Sequence, residues 1–139
     1  MGNTASVKKI NYEDMQIACG ERDIIIISTL PNDEQDILIA GTIPSSSEEV
    51  IVTQLLNEYS KKSIYIYGKN SNDNTIYDKN KQLTALGFTN VYVYPGGLFE
   101  WALLQELYDI ENFQTTKKIT DCLKFKGARG TTTFKMVCV

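Results

Sequence analysis

Three cysteines, Cys19, Cys122 and Cys138, are the strongest nucleophiles in the chain, and no histidine accompanies them. That zero removes the usual general base, the usual metal ligand and every Ser/His or Cys/His catalytic pair. The cysteines are odd in number and lack CxxC spacing, so neither a zinc site nor a redox dithiol is expected, and no cofactor is implied. Free thiols in a reducing, intracellular compartment fit best. Cys19 reads as a small buried apolar residue.

Polar chemistry concentrates in one stretch: Gly68, Lys69, Asn70, Ser71, Asn72, Asp73, Asn74 and Thr75. Ser71 and Thr75 carry hydroxyls, yet Lys69 is the only nearby base to activate them. Such a stretch can satisfy its own backbone through side-chain hydrogen bonds. It can also hold an anion at a helix start, with Lys69 adding charge and Asp73 opposing it, or meet a protein partner.

The start of the chain carries a second signal. Met1-Gly2-Asn3-Thr4-Ala5-Ser6 matches the M-G-x-x-x-[ST] pattern for N-myristoylation at Gly2, with Lys8 and Lys9 after it. One myristoyl chain binds membranes only marginally, with an association constant of about 10⁴ M⁻¹, so a second contact is needed. Residues 1–114 hold 8 Lys/Arg and 16 Asp/Glu, net −8, while 115–139 hold 6 and 1, net +5. Lys8, Lys9, Lys117, Lys118, Lys124, Lys126, Arg129 and Lys135 could face an anionic leaflet on the cytoplasmic side. The alternative for this basic tail is a solvated extension loosely apart from the acidic body. Gly127–Thr133 reads as flexible. With one arginine and only Phe125 and Phe134 as aromatics, the tail is a poor nucleic-acid binder. Met136-Val137-Cys138-Val139 is not a CaaX box. No apolar run is long enough to span a membrane, and no secretory h-region stands at the start.

The elements that position these residues alternate along the chain. Asn11 caps a short helix that Gly20 stops. Ile24–Ile27 is a β-branched run consistent with a strand buried on both faces. Ile37–Ile39 reads as loop or an exposed edge that a second copy could pair with. Ser45-Ser46-Ser47-Glu48-Glu49 offers two overlapping S-x-x-E capping boxes ahead of Val50, Ile51, Leu55 and Leu56 at helical spacing. Ile64–Tyr67 is a strand, a helix resumes near Thr75, and Gly87 sits where a helix end wants positive φ. Val91–Tyr94 is the next strand, and Leu98–Tyr108 a helix with one buried face. At 139 residues and 42% apolar side chains, the chain suits a single compact domain. A chain this long buries roughly 68% of its unfolded surface. Strands separated by helices predict an α/β fold with a mainly parallel sheet and helices on both faces. Ligands in such folds sit beyond the carboxyl ends of the strands, where the 68–75 loop lies.

Three motifs in order resemble the rhodanese-like domain family over about residues 10–108. Gly41-Thr42-Ile43-Pro44 resembles its Gly-His-Ile-Pro turn, with Thr42 in the histidine's place. Leu83-Thr84-Ala85-Leu86-Gly87-Phe88-Thr89-Asn90-Val91-Tyr92 resembles its helix ending in Gly-Phe before an Asn-Val-Tyr strand. Gly96-Gly97 with Trp101 resembles its Gly-Gly-x-x-x-Trp signature. The resemblance implies a three-layer rhodanese-like fold; with the N-terminal pattern and the charge split, the chain divides into a myristoylation-type segment at 1–9, the domain at 10–113 and a basic extension at 114–139. In active members it implies a cysteine opening the loop after the central strand, which takes up a sulfane sulfur while loop amides cradle the charge.

Here the expected cysteine position falls between Gly68 and Asn70, and 68–75 holds neither cysteine nor the usual closing arginine. Ser28 stands where an acid is common. The expected function is therefore a catalytically inactive, membrane-tethered module for protein binding or regulation. The alternative is a sulfurtransferase or phosphatase-like enzyme with an atypical nucleophile. A protein and an anionic membrane surface are the expected partners.

Overall fold

A computed structural model describes residues 6–58 and 60–131. Four parallel strands, β1 (Lys8–Lys9), β2 (Ile24–Ser28), β3 (Ser63–Tyr67) and β4 (Val91–Tyr94), form one sheet in the order β1-β4-β3-β2. Four helices connect or follow them: α1 (Tyr12–Ala18), α2 (Ser45–Asn57), α3 (Thr75–Ala85) and α4 (Gly97–Leu107). The expected α/β architecture, a mostly parallel sheet flanked by helices, is the one observed. Short 3-10 turns span Asn32–Glu34 and Cys122–Phe125.

Strand alternation sorts the core into two layers. Ile26, Tyr67 and Tyr94 pack with Met15, Leu98 and Trp101 under α1 and α4. Ile27, Ile64, Ile66, Val91 and Val93 pack with Val52, Leu55, Ile76 and Leu83 under α2 and α3. Trp101, with no exposed surface, meets Tyr94 and Phe113 edge-on. Asn11 caps α1 with a full capping box to Asp14, and Gly87 takes φ +110° after α3, as the residue types predict.

α2 departs from expectation at its start. Pro44 occupies the N-cap, no side chain caps the helix, and neither S-x-x-E box forms. Pro44 already presents an extended ψ and accepts from the Ser47 amide (2.9 Å), while the Ser45 hydroxyl turns to Asn32 Oδ1 (3.0 Å). Along the same helix Val52 and Leu55 are buried whereas Val50 is 68% exposed, because position 50 lies about 200° around the helix from 52.

The larger departure concerns Ile37–Ile39, which is no free edge. The Ala40 amide donates to Gln114 O (2.9 Å), the Thr116 amide to Leu38 O (2.8 Å), and the Leu38 amide to the Thr116 hydroxyl (3.0 Å). The chain's own C-terminal segment supplies the pairing expected from a second copy. Over its described residues up to Phe125 that segment is not a loosely held extension: Ile119 and Phe125 are buried in the α1/α4 layer, and Cys122 packs against it. Buried Gln105 on α4 explains why. Its Nε2 donates to Phe113 O (2.7 Å) and Thr115 Oγ1 (3.0 Å), and its Oε1 accepts from the Ile119 amide (3.0 Å). One amide side chain thus satisfies three polar groups of the passing strap. β1 likewise joins the residues just after Ser6 to the sheet through β4.

Candidate functional site

β3 ends at Tyr67, so Gly68 opens the loop, and the strand-to-helix turn lies beyond the carboxyl ends of the sheet as predicted. Gly68 is buried, and a Cβ there would stand 2.5 Å from Asp73 Oδ2 and 2.9 Å from the Thr29 hydroxyl. The Asp73 carboxylate therefore fills the space a side chain at 68 would need. It accepts from the Lys69 amide (3.0 Å), the Thr75 amide (3.0 Å) and the Thr75 hydroxyl. Partial burial works to raise its pKa. Hydrogen bonds from the Thr75 hydroxyl and the two amides, with the Lys69 charge, outweigh that and hold the carboxyl below its usual value.

Two further loop amides are engaged. The Asn72 amide donates to Asn70 Oδ1 (3.0 Å) and the Asp73 amide to Asn70 O (3.1 Å). These are the local Asx bonds that the Asn/Asp-rich composition favours. Asp73 is the residue whose role the composition understated: it ties the Lys69 amide at the loop's start to the Thr75 amide at the start of α3, while the side chain of Asn74 makes no capping bond. An aspartate two residues before a helix-opening threonine was the available signal.

Two neighbours press on this loop. The α4 amides of Leu98 and Phe99 donate to Gly68 O (2.9 Å) and Lys69 O (2.8 Å), so the helix N-terminus is closed by the loop itself. Gly97 holds φ +65°, and a Cβ there would meet Gly68 O at 2.8 Å and Asn70 N at 3.0 Å. From the other side Asn70, 8% exposed, donates from Nδ2 to Phe125 O (3.0 Å), and Gly127 lies against the Asn72 amide. Lys69 pairs with Glu34 (3.4 Å). Ser71, Asn72, Asn74 and Thr75 keep exposed surface.

Beside the loop, a groove of about 770 Å³ runs between α2 and α3 from Thr29 and Thr75 to Leu86, crossed by the Lys79–Glu48 ion pair (2.6 Å). Thr42, in the Gly-Thr-Ile-Pro turn, donates to Ile39 O (2.6 Å) and bonds the Tyr67 hydroxyl (2.8 Å). Burial pushes Tyr67 up to about 12 against these bonds, so it is a neutral structural hydroxyl. Ser28 accepts from the Leu30 amide (3.1 Å). Burial pushes the Cys19 thiol up to about 11, leaving it protonated at neutral pH. Its backbone lies against Gly41 of the Gly-Thr-Ile-Pro turn.

Gly2, Cys138 and Lys135 lie outside the described residues. Lys8 and Lys9 stand on β1, and Lys124 reaches Asp36 at 4.0 Å. Among the described residues no helix is long and apolar enough to cross a membrane, and no cluster of three or more His, Cys, Asp or Glu could hold a metal ion. Residues 24–104 match the family model described as the rhodanese-like domain. A search of curated proteins returned no match.

Proposed function

The chain belongs to the rhodanese-like domain family, and from that premise we propose that it is a catalytically silent member, tethered to a membrane through N-myristoylated Gly2 and acting by binding a protein partner. The observation that carries this reading is the Asp73 carboxylate beside Gly68. With its own negative charge it takes the Lys69 and Thr75 amides and fills the space beside Gly68, one end of the stretch where the resemblance expects the sulfur-accepting cysteine. A thiolate at that position would face a like charge and a filled volume. No residue from 68 to 75 supplies a thiol, and Cys19 is held in its protonated form.

The exposed side of the loop, Ser71, Asn72, Asn74 and Thr75, is left to meet a protein, because the loop's inner groups are consumed by the fold. The tether is supported by the Met1–Ser6 pattern and by Lys8 and Lys9, both exposed on β1. Acylation would follow removal of Met1 and transfer of the acyl group from a thioester donor to the Gly2 amine.

Thiosulfate-to-cyanide sulfur transfer by the full chain tests the catalytic half. Turnover at the protein-free background is expected. Turnover that disappears in Cys19→Ser or Cys122→Ser would establish the alternative, a sulfurtransferase with an atypical nucleophile. For the tether, the intact mass of protein made in eukaryotic cells should show loss of Met1 and gain of a myristoyl group. A pull-down comparing wild type with Gly2→Ala should retain a partner that depends on the membrane fraction.

A further inference from the structure

A second depression, of about 610 Å³, lies at the corner between α3 and edge strand β1. Its exposed wall is mostly carbon, from Val7 ahead of β1, Tyr77 on α3, and Phe88 and Val91 at the entry to β4, with Asn80, Lys81 and Thr84 of α3 and Thr89 supplying polar groups at its margin. Lys8 lines it too, its ammonium donating to the carbonyl of Thr89, another lining residue (3.1 Å), and standing over the Tyr92 ring (5.5 Å). Among the described residues β1 is two residues long, and this depression lies between it and α3. Ser6, the first described residue, lies in the same wall. Gly2 is four residues upstream, and four extended residues reach at most about 14 Å.

We infer that this groove holds the fatty acyl chain of N-myristoylated Gly2, a deepening of the tether reading on which it rests. The occupant follows from the chemistry of the walls and the place where the chain arrives. Residues 2–5, Gly-Asn-Thr-Ala, bring backbone and side-chain polar groups that carbon walls cannot satisfy. A saturated acyl chain has no such groups and gains from every methylene removed from water. Held there, the lipid is withdrawn from the bilayer. The protein then has two states, chain in groove and chain in membrane, and any contact that favours Lys8 and Lys9 at an anionic surface shifts the balance to the second.

Two measurements test this. Sodium myristate titrated into the unacylated full chain should give saturable amide shifts at Val7, Tyr77, Thr84 and Phe88. Thr84→Trp, a change at an exposed position that fills the groove, should weaken binding at least tenfold. Absent shifts, or shifts centred elsewhere, overturn the groove as an acyl site. Protein acylated by a co-expressed N-myristoyltransferase should partition onto neutral phosphatidylcholine vesicles at least tenfold less than its Thr84→Trp counterpart. Equal partitioning overturns sequestration. An intact mass without the acyl group defeats the tether and with it the docking of Gly2's own lipid, whereas the myristate titration judges the groove separately.

Discussion

The carboxyl ends of β3 and β4 and the α3–β1 corner are both places where a strand meets a helix, yet they are finished in opposite ways. At the first, the 68–75 loop bonds to itself, to the amides opening α4 and to the strap at Phe125, and its buried volume is taken by Asp73. At the second, a two-residue strand borders an apolar wall of Val7, Phe88 and Val91 beside α3. The 68–75 loop is thus finished largely by its own polar contacts, while a volume of low polarity lies near the chain's first described residue. A fold can keep its architecture while its loops are finished differently, because the two core layers are built from residues outside the 68–75 loop.

Four substitutions break or sharpen that contrast. Gly97→Ala should have the largest effect, since φ +65° and a 2.8 Å approach to Gly68 O act together. A loss of about 3 kcal/mol is expected from urea midpoints. Gln105→Leu should cost about 2 kcal/mol by stranding Phe113 O and the Ile119 amide. Amide exchange should then speed up at Thr116 and Ile119 first, because the strap opens before the sheet. If exchange rises uniformly instead, strap and sheet unfold as one unit.

Asp73→Asn should be smaller and dependent on pH. The Asp73 carboxyl is held below its usual 3.8, so its stabilisation is complete above that value and is lost as pH falls through the folded-state pKa. Wild type should therefore lose more stability than the variant on acidification below about pH 4, read from thermal midpoints across pH 2–6. A parallel decline in both proteins would mean that Asp73 is not charged in the fold. Thr84→Trp, at the open corner, should change stability by no more than about 0.5 kcal/mol, since the side chain it replaces is exposed. A larger loss would show the corner to be as tightly finished as the loop.

Much of the architecture was legible because it rests on local signals. Isoleucine and valine runs specify strands, Asn11 and Asp14 specify a cap, and Gly87 marks a helix end, whatever surrounds them. The capping boxes at Ser45–Glu49 misled because a proline before them sets the helix entry without a side-chain cap, and nothing in the spacing reveals which geometry wins. Ile37–Ile39 looked open because its pairing partners lie about 75 residues away in the strap, a separation that periodicity does not cover.

Residue order alone determined that the 68–75 loop carries no thiol, that the chain has no imidazole, and that strands and helices alternate toward a parallel sheet. Tertiary structure decided what occupies the loop's interior, which segment covers the 37–39 edge, and where an unfilled apolar wall remains. Those outcomes depend on which distant groups meet once the sheet has twisted and packed. Hydrogen bonds and filled volumes are properties of such meetings, and no single stretch of sequence contains both partners.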